Sequence, residues 1–195
     1  MSAFLCVCFI GAASDLHPQE LRLTTRSQEA QAEFRAGLDA IENSLIAEGA
    51  IRMQRAIGAD PRFALARAFH AAYAVNLSAD ARSTELQQAA ADAMNATLGE
   101  LLVVLSLRAP LGAERRSTLK AAVDAVPDDR HVLYLHALNL EDPHDRVRSF
   151  EALNRRFPDF APAYRELGYV RVRELADPEA ALLNMQRYLK LQPQN

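Results

Sequence analysis

The sequence predicts an all-α fold of about five antiparallel helix pairs. Three observations predict it. Half of the 195 residues are hydrophobic, Ala and Leu dominate, Gly is scarce, and runs of alternating Val, Ile and Thr are absent, a composition that favours helices over sheet. Apolar residues recur at spacings of three and four between helix-start signals. Finally, Pro61, Pro127, Pro158 and Pro193 recur at steps near one or two periods of a common repeat, and Ala71, Ala137 and Gly168 each follow such a proline at the same offset.

The elements follow in order. Thr25-x-x-Gln28 has the pattern of a capping box, in which two first-turn N–H groups are satisfied reciprocally. A helix then runs to about Glu42 with Phe34, Leu38 and Ile41 on one face. Asn43-Ser44 breaks and recaps, and a second helix carries Ile46, Ala50, Met53 and Ile57. A third, Ala-rich helix runs from Asp60-Pro61 to about Val75. Asn76–Arg82 reads as a loop, with Ser83 as the cap of a helix reaching Met94. Asn95 or Thr97 caps an apolar helix over Leu101–Leu107, and Ala113–Ala125 forms the next. Asp128-Asp129 opens a helix bearing Val132, Leu135 and Leu138. Asp142-Pro143 and Asp177-Pro178 each supply an N-cap oxygen followed by a proline at the first helical position, where no N–H is needed.

The last unit, 157–195, is the clearest. Ala163-Tyr164-x-x-Leu167-Gly168-Tyr169, a small residue at Ala181, then Met185, Tyr188 and Pro193, resemble a tetratricopeptide repeat, a helix–turn–helix unit of about 34 residues. The pattern covers roughly 27–193, clean at 27–75 and 128–193 and degenerate at 77–126. The resemblance implies a right-handed α-solenoid over 25–193 whose concave face, lined by the first helix of each pair, binds a protein or peptide segment. Carried over residue by residue, the lining is Gln31, Phe34 and Leu38, then Leu65, Ala68 and Ala72, then His131, Tyr134 and Leu138, then Arg165 and Tyr169. This lining is mostly apolar and lacks the cationic clamp by which some relatives hold a C-terminal carboxylate, so an apolar or amphipathic segment is the expected partner. The alternative is a helical ligand-binding or sensor domain that takes an apolar small molecule in a closed pocket.

Residues 1–13 read as an apolar export segment with Gly11-Ala12-Ala13 as a small-residue cleavage site, which points to a bacterial periplasmic or secreted protein; without export it is cytoplasmic. The stretch is too short to span a bilayer. Cys6 and Cys8 lie within it, and residues 14–24 read as a linker. Net charge is −3 with the basic residues dispersed, which gives no footprint for nucleic acid. Catalysis finds no support: there is no Gly-x-Ser-x-Gly elbow, phosphate-cradling glycine run or His-Glu-x-x-His. His131, His136 and His144 would have to converge to hold a metal, and no cofactor or metal is expected. The Asp128/Asp129 and Glu141/Asp142 pairs read as helix-start charges. A solenoid normally ends in a polar capping helix, whereas Leu182, Met185 and Leu189 lie close to Asn195. That face is expected to be covered by self-association, by a folded-back N-terminal segment or by further repeats.

Overall fold

A computed structural model describes residues 20–192. Among these residues ten helices follow one another: α1 (Gln28–Glu42), α2 (Ile46–Ala59), α3 (Ala64–Tyr73), α4 (Ala79–Ala93), α5 (Leu98–Arg108), α6 (Ala113–Ala125), α7 (Arg130–Leu138), α8 (Pro143–Arg156), α9 (Ala161–Arg173) and α10 (Pro178–Leu191). Among the described residues no β-sheet forms. The helices pack as five consecutive hairpins, α1 with α2 through α9 with α10, and the second helix of each of the first four packs on the first helix of the next. This is the helix-hairpin stack that the repeat pattern predicts. The apolar segment Met1–Ala13, with Cys6 and Cys8, and also His17 and Pro193, lie outside the described residues.

Short polar side chains decide where most helices begin. Ser27, Ser78, Thr97, Asp129, Asp142 and Asp177 each accept a backbone N–H of the first turn, a cap worth about 1 kcal/mol. Three local expectations are corrected. The cap of α1 is Ser27, because Thr25 directs its hydroxyl to Asp60 instead. Ser44 adopts a positive φ of 67° and leaves Leu45 at the N-cap of α2. Ser78 rather than Ser83 caps α4, which starts at Ala79 and so takes in part of the predicted loop. Arginines close the other ends. Arg82 of α4 donates to the carbonyls of Ala71 and Ala74, and Arg115 of α6 to those of Leu107 and Ala109. In both cases a cation sits at the negative end of the preceding helix.

Two apolar clusters meet at α7. The larger joins α1 to α7 through Phe34, Met53, Leu65, Phe69, Val103, Leu119 and Val132. The smaller holds Tyr134, Phe150, Phe160 and Leu167, and each large side chain fully buried here contributes about 1.5–3 kcal/mol. In the segment 77–126, where the repeat signature fades, the second helices have thin core faces: α4 buries only Ala89 and Ala93, and α6 only Leu119 and Ala122. Gly168 shows why a small residue recurs in the first helices, since a Cβ there would lie 2.6 Å from Met185 Cε of the paired helix.

Candidate functional site

The stack curls until its first and fourth units touch. Glu42, in the last turn of α1, sits 2.7 Å from His131 Nδ1 in the first turn of α7. Burial pushes the Glu42 carboxyl up, against the pull of His131. Burial opposes the charge on His131, yet its hydrogen bond and charge contact with Glu42 leave it raised. The pair therefore shares a proton more readily than either group does in water.

The chain ahead of α1 runs along the inner side of the stack. Residues 20–27 are non-helical and run across the starts of three successive first helices. The Leu21 N–H donates to Asp129 Oδ2 at 3.1 Å, at the start of α7. The Thr24 N–H donates to Glu100 Oε1 at 2.9 Å, and the Thr24 hydroxyl to Glu100 Oε2, in the first turn of α5. The Thr25 hydroxyl donates to Asp60 Oδ2 at 2.5 Å, just ahead of α3. Gln31 of α1 steadies the segment from the other side through the Thr25 carbonyl at 2.8 Å. The Leu21 side chain lies over Gly99, where an added Cβ would come within 2.9 Å of Leu21 Cδ1.

Three carboxylates, one near the start of each of α3, α5 and α7, thus accept hydrogen bonds from one extended strand. Asp129 does so while also capping α7 through Oδ1. Glu100 is 1% exposed; burial raises its pKa, and the two bonds from Thr24 offset part of that rise. Residues 20–24, expected as a linker, are the ordered part of this arrangement. Space remains on both sides of the strand. A cleft of about 370 Å³ opens between α1 and α7, with Phe34, Leu38, Arg35, Asp39, Arg130 and Phe157 on its walls. Another of about 640 Å³ lies by Asp60, Asp92 and Glu100.

The expected concave lining is redistributed by this packing. Phe34, Leu38 and His131 do meet at the first cleft. Leu65 and Ala68 are 0% exposed, so no partner reaches them in this packing; apolar inner faces close on each other rather than stay open to water. Ala72 is half-buried against the same cluster. Tyr134 belongs to the smaller cluster, 5.4 Å from the Phe160 ring, and accepts a hydrogen bond from the largely buried Arg165 at 3.2 Å. Leu138 packs against that cluster as well. Tyr169 is exposed, with the Arg173 guanidinium 4.6 Å from its ring centre. Helical periodicity gives no sign that Glu100 and Asp60 hold the segment ahead of α1, because their partners Thr24 and Thr25 lie 76 and 35 positions away. One signal was present: Glu100 is a lone charge within the apolar run Leu98–Leu107.

Among the described residues the histidines do not converge. His70 pairs with Glu85 and His131 with Glu42, and among the described residues no group of three or more His, Cys, Asp or Glu is placed to hold a metal ion. Among the same residues, no helix is long and apolar enough to cross a membrane.

No protein-family model matches the sequence, and no curated protein matches it. Among solved structures the chain is similar to that of YrrB, described as a TPR protein with an unusual peptide-binding site. The two share 16% identity at a TM-score of 0.45, over 85% of this chain and 88% of that one.

Proposed function

We propose that this chain is a non-catalytic interaction module that holds an extended polypeptide segment on the inner side of its helix stack. The observation that supports it is the seating of residues 20–25. A strand with no helical hydrogen bonds of its own finds acceptors at Asp129, Glu100 and Asp60 and sets Leu21 over Gly99. Backbone and hydroxyl recognition of this kind supplies affinity, while the alternating leucines supply selectivity. The cleft between α1 and α7 carries Arg35, Asp39, Asp128, Asp129 and Arg130 beside its apolar residues, which suits a polypeptide better than an apolar small molecule.

The test places a photo-reactive residue at position 35, on the cleft wall, and separately at Ile51, exposed on α2. Cross-links to a partner peptide from position 35 and not from position 51 support the reading. Equal labelling at both positions, or labelling at neither, removes it.

A second surface is proposed for self-association. The outer face of α10 exposes Leu182, Leu183 and Leu189, whereas each earlier second helix is covered by the following hairpin. The export reading of Met1–Ala13 places the module in the periplasm or outside the cell, and fractionation of the tagged full chain tests that placement.

A further inference from the structure

We infer that residues 20–25 are an exchangeable occupant of the inner groove, held in cis where a partner strand of the same pattern binds in trans. The inference rests on the interaction reading above and names both the partner's chemistry and its control.

The chemistry comes from the contacts. The first leucine must present a free N–H to Asp129 and its side chain to Gly99. Three residues on, the position must offer an N–H and a hydroxyl to Glu100, and the next a hydroxyl to Asp60. A partner strand therefore reads apolar-x-apolar-hydroxyl-hydroxyl. Because its acceptors are carboxylates, an acidic strand is repelled and a neutral or basic one is favoured. The cis strand fits this pattern, with Arg22 and Arg26 both exposed beside it.

Exchange is favoured by how the strand is held. Leu21 and Leu23 are only partly buried, packed on the edge of the larger cluster. Clefts open along the segment, one beside Leu21 and Leu23 and another beside Thr24, Thr25 and Arg26. The entropy cost of ordering an extended segment is of the same order as such contacts return. Moving residues 20–25 out of the groove breaks no hydrogen bond within a helix, since α1 keeps its own cap at Ser27. Glu100 is the group that most needs a strand in place, being a buried carboxylate whose two oxygens both point at Thr24.

The experiment uses the full chain and an acetylated, amidated, fluorescent peptide with the sequence of residues 20–27. Leu21→Asp with Thr24→Val weakens the cis strand and leaves Asp60, Gly99, Glu100 and Asp129 untouched. Fluorescence anisotropy is expected to show the peptide binding this variant at least about tenfold tighter than the wild-type chain. Adding Glu100→Gln to the variant is expected to abolish that gain. If the doubly substituted chain does not fold, Thr24→Val alone, at an exposed residue, serves the same comparison with a smaller gain. Equal affinity of folded wild-type and variant chains, no binding to either, or a gain that survives Glu100→Gln overturns the inference. Any of these with the position-35 cross-links intact removes the exchange and leaves the interaction reading in place. Absence of the position-35 cross-links removes that reading, and this inference with it.

Discussion

Replacing Thr24 with Val deletes one hydroxyl from the inner strand while keeping its shape and its backbone N–H. In the structure Thr24 gives Glu100 two hydrogen bonds, the backbone one at 2.9 Å. A hydrogen bond to a charged acceptor contributes about 1.5–3 kcal/mol, and Glu100 would keep one of its two. The Thr24 side of the contact is exposed, so water replaces part of the lost bond and the lower end of that range applies. Since about 1.4 kcal/mol is a factor of ten, the open population of the strand should rise roughly tenfold. The assay is amide hydrogen exchange on the full chain. The Leu21 and Thr24 amides, which donate to Asp129 and Glu100, should exchange about ten times faster in the variant. The amides of Val103 and Val104 in the core of α5 should keep their rates, because local opening is separable from global unfolding. Unchanged strand amides, or a uniform acceleration through α5, would refute the account of a strand held by Glu100 and able to open on its own.

Four further outcomes follow from the same geometry. Glu42 and His131 both carry raised pKa values in the fold, so the folded state binds more protons than the unfolded one. Their contribution is fully present below the ordinary values and falls as pH rises through the folded ones. The stability of wild type relative to Glu42→Gln, read by urea denaturation, should therefore decline from pH 5 to pH 8. Phe150→Ala empties a fully buried site beside Tyr134 and should cost about 3–5 kcal/mol, read as a lower denaturation midpoint. Gly168→Ala brings a methyl against the flexible Met185 side chain, which can yield, so the gain in helix propensity offsets the crowding and the net change should stay within about 1 kcal/mol. Combining it with Met185→Ala should cost less than the sum of the two single changes, a coupling that a double-mutant cycle measures. Leu182→Asp with Leu189→Asp should lower any self-association seen by sedimentation, leaving helical content unchanged.

Local chemistry made most of the helix plan legible. The Asp-Pro pairs at 142–143 and 177–178, Thr97 and Asp129 act at the predicted helix starts, and Ala113–Ala125 has its predicted bounds. Such signals involve groups within four residues of one another, so the sequence holds the whole interaction. They fail where a side chain has a distant competitor. Thr25 looked like a cap for α1 and instead bonds Asp60, 35 positions away.

The repeat pattern fixed which faces are apolar but not what covers them. Leu65 and Ala68 occupy first-helix positions that an open trough would present to a partner, and they are enclosed because the stack curls. That curl rests on contacts such as Glu42 with His131, 89 positions apart, and Leu21 with Asp129, 108 apart. Helix identity, the pairing outside 77–126 and the caps at Thr97, Asp129, Asp142 and Asp177 were thus determined by the sequence itself, through short-range hydrogen bonding and helical periodicity. The inner strand, the three carboxylates that hold it and the closure of the groove were decided only in the tertiary structure. No local spacing encodes which helix starts converge once hairpins stack with a particular curvature.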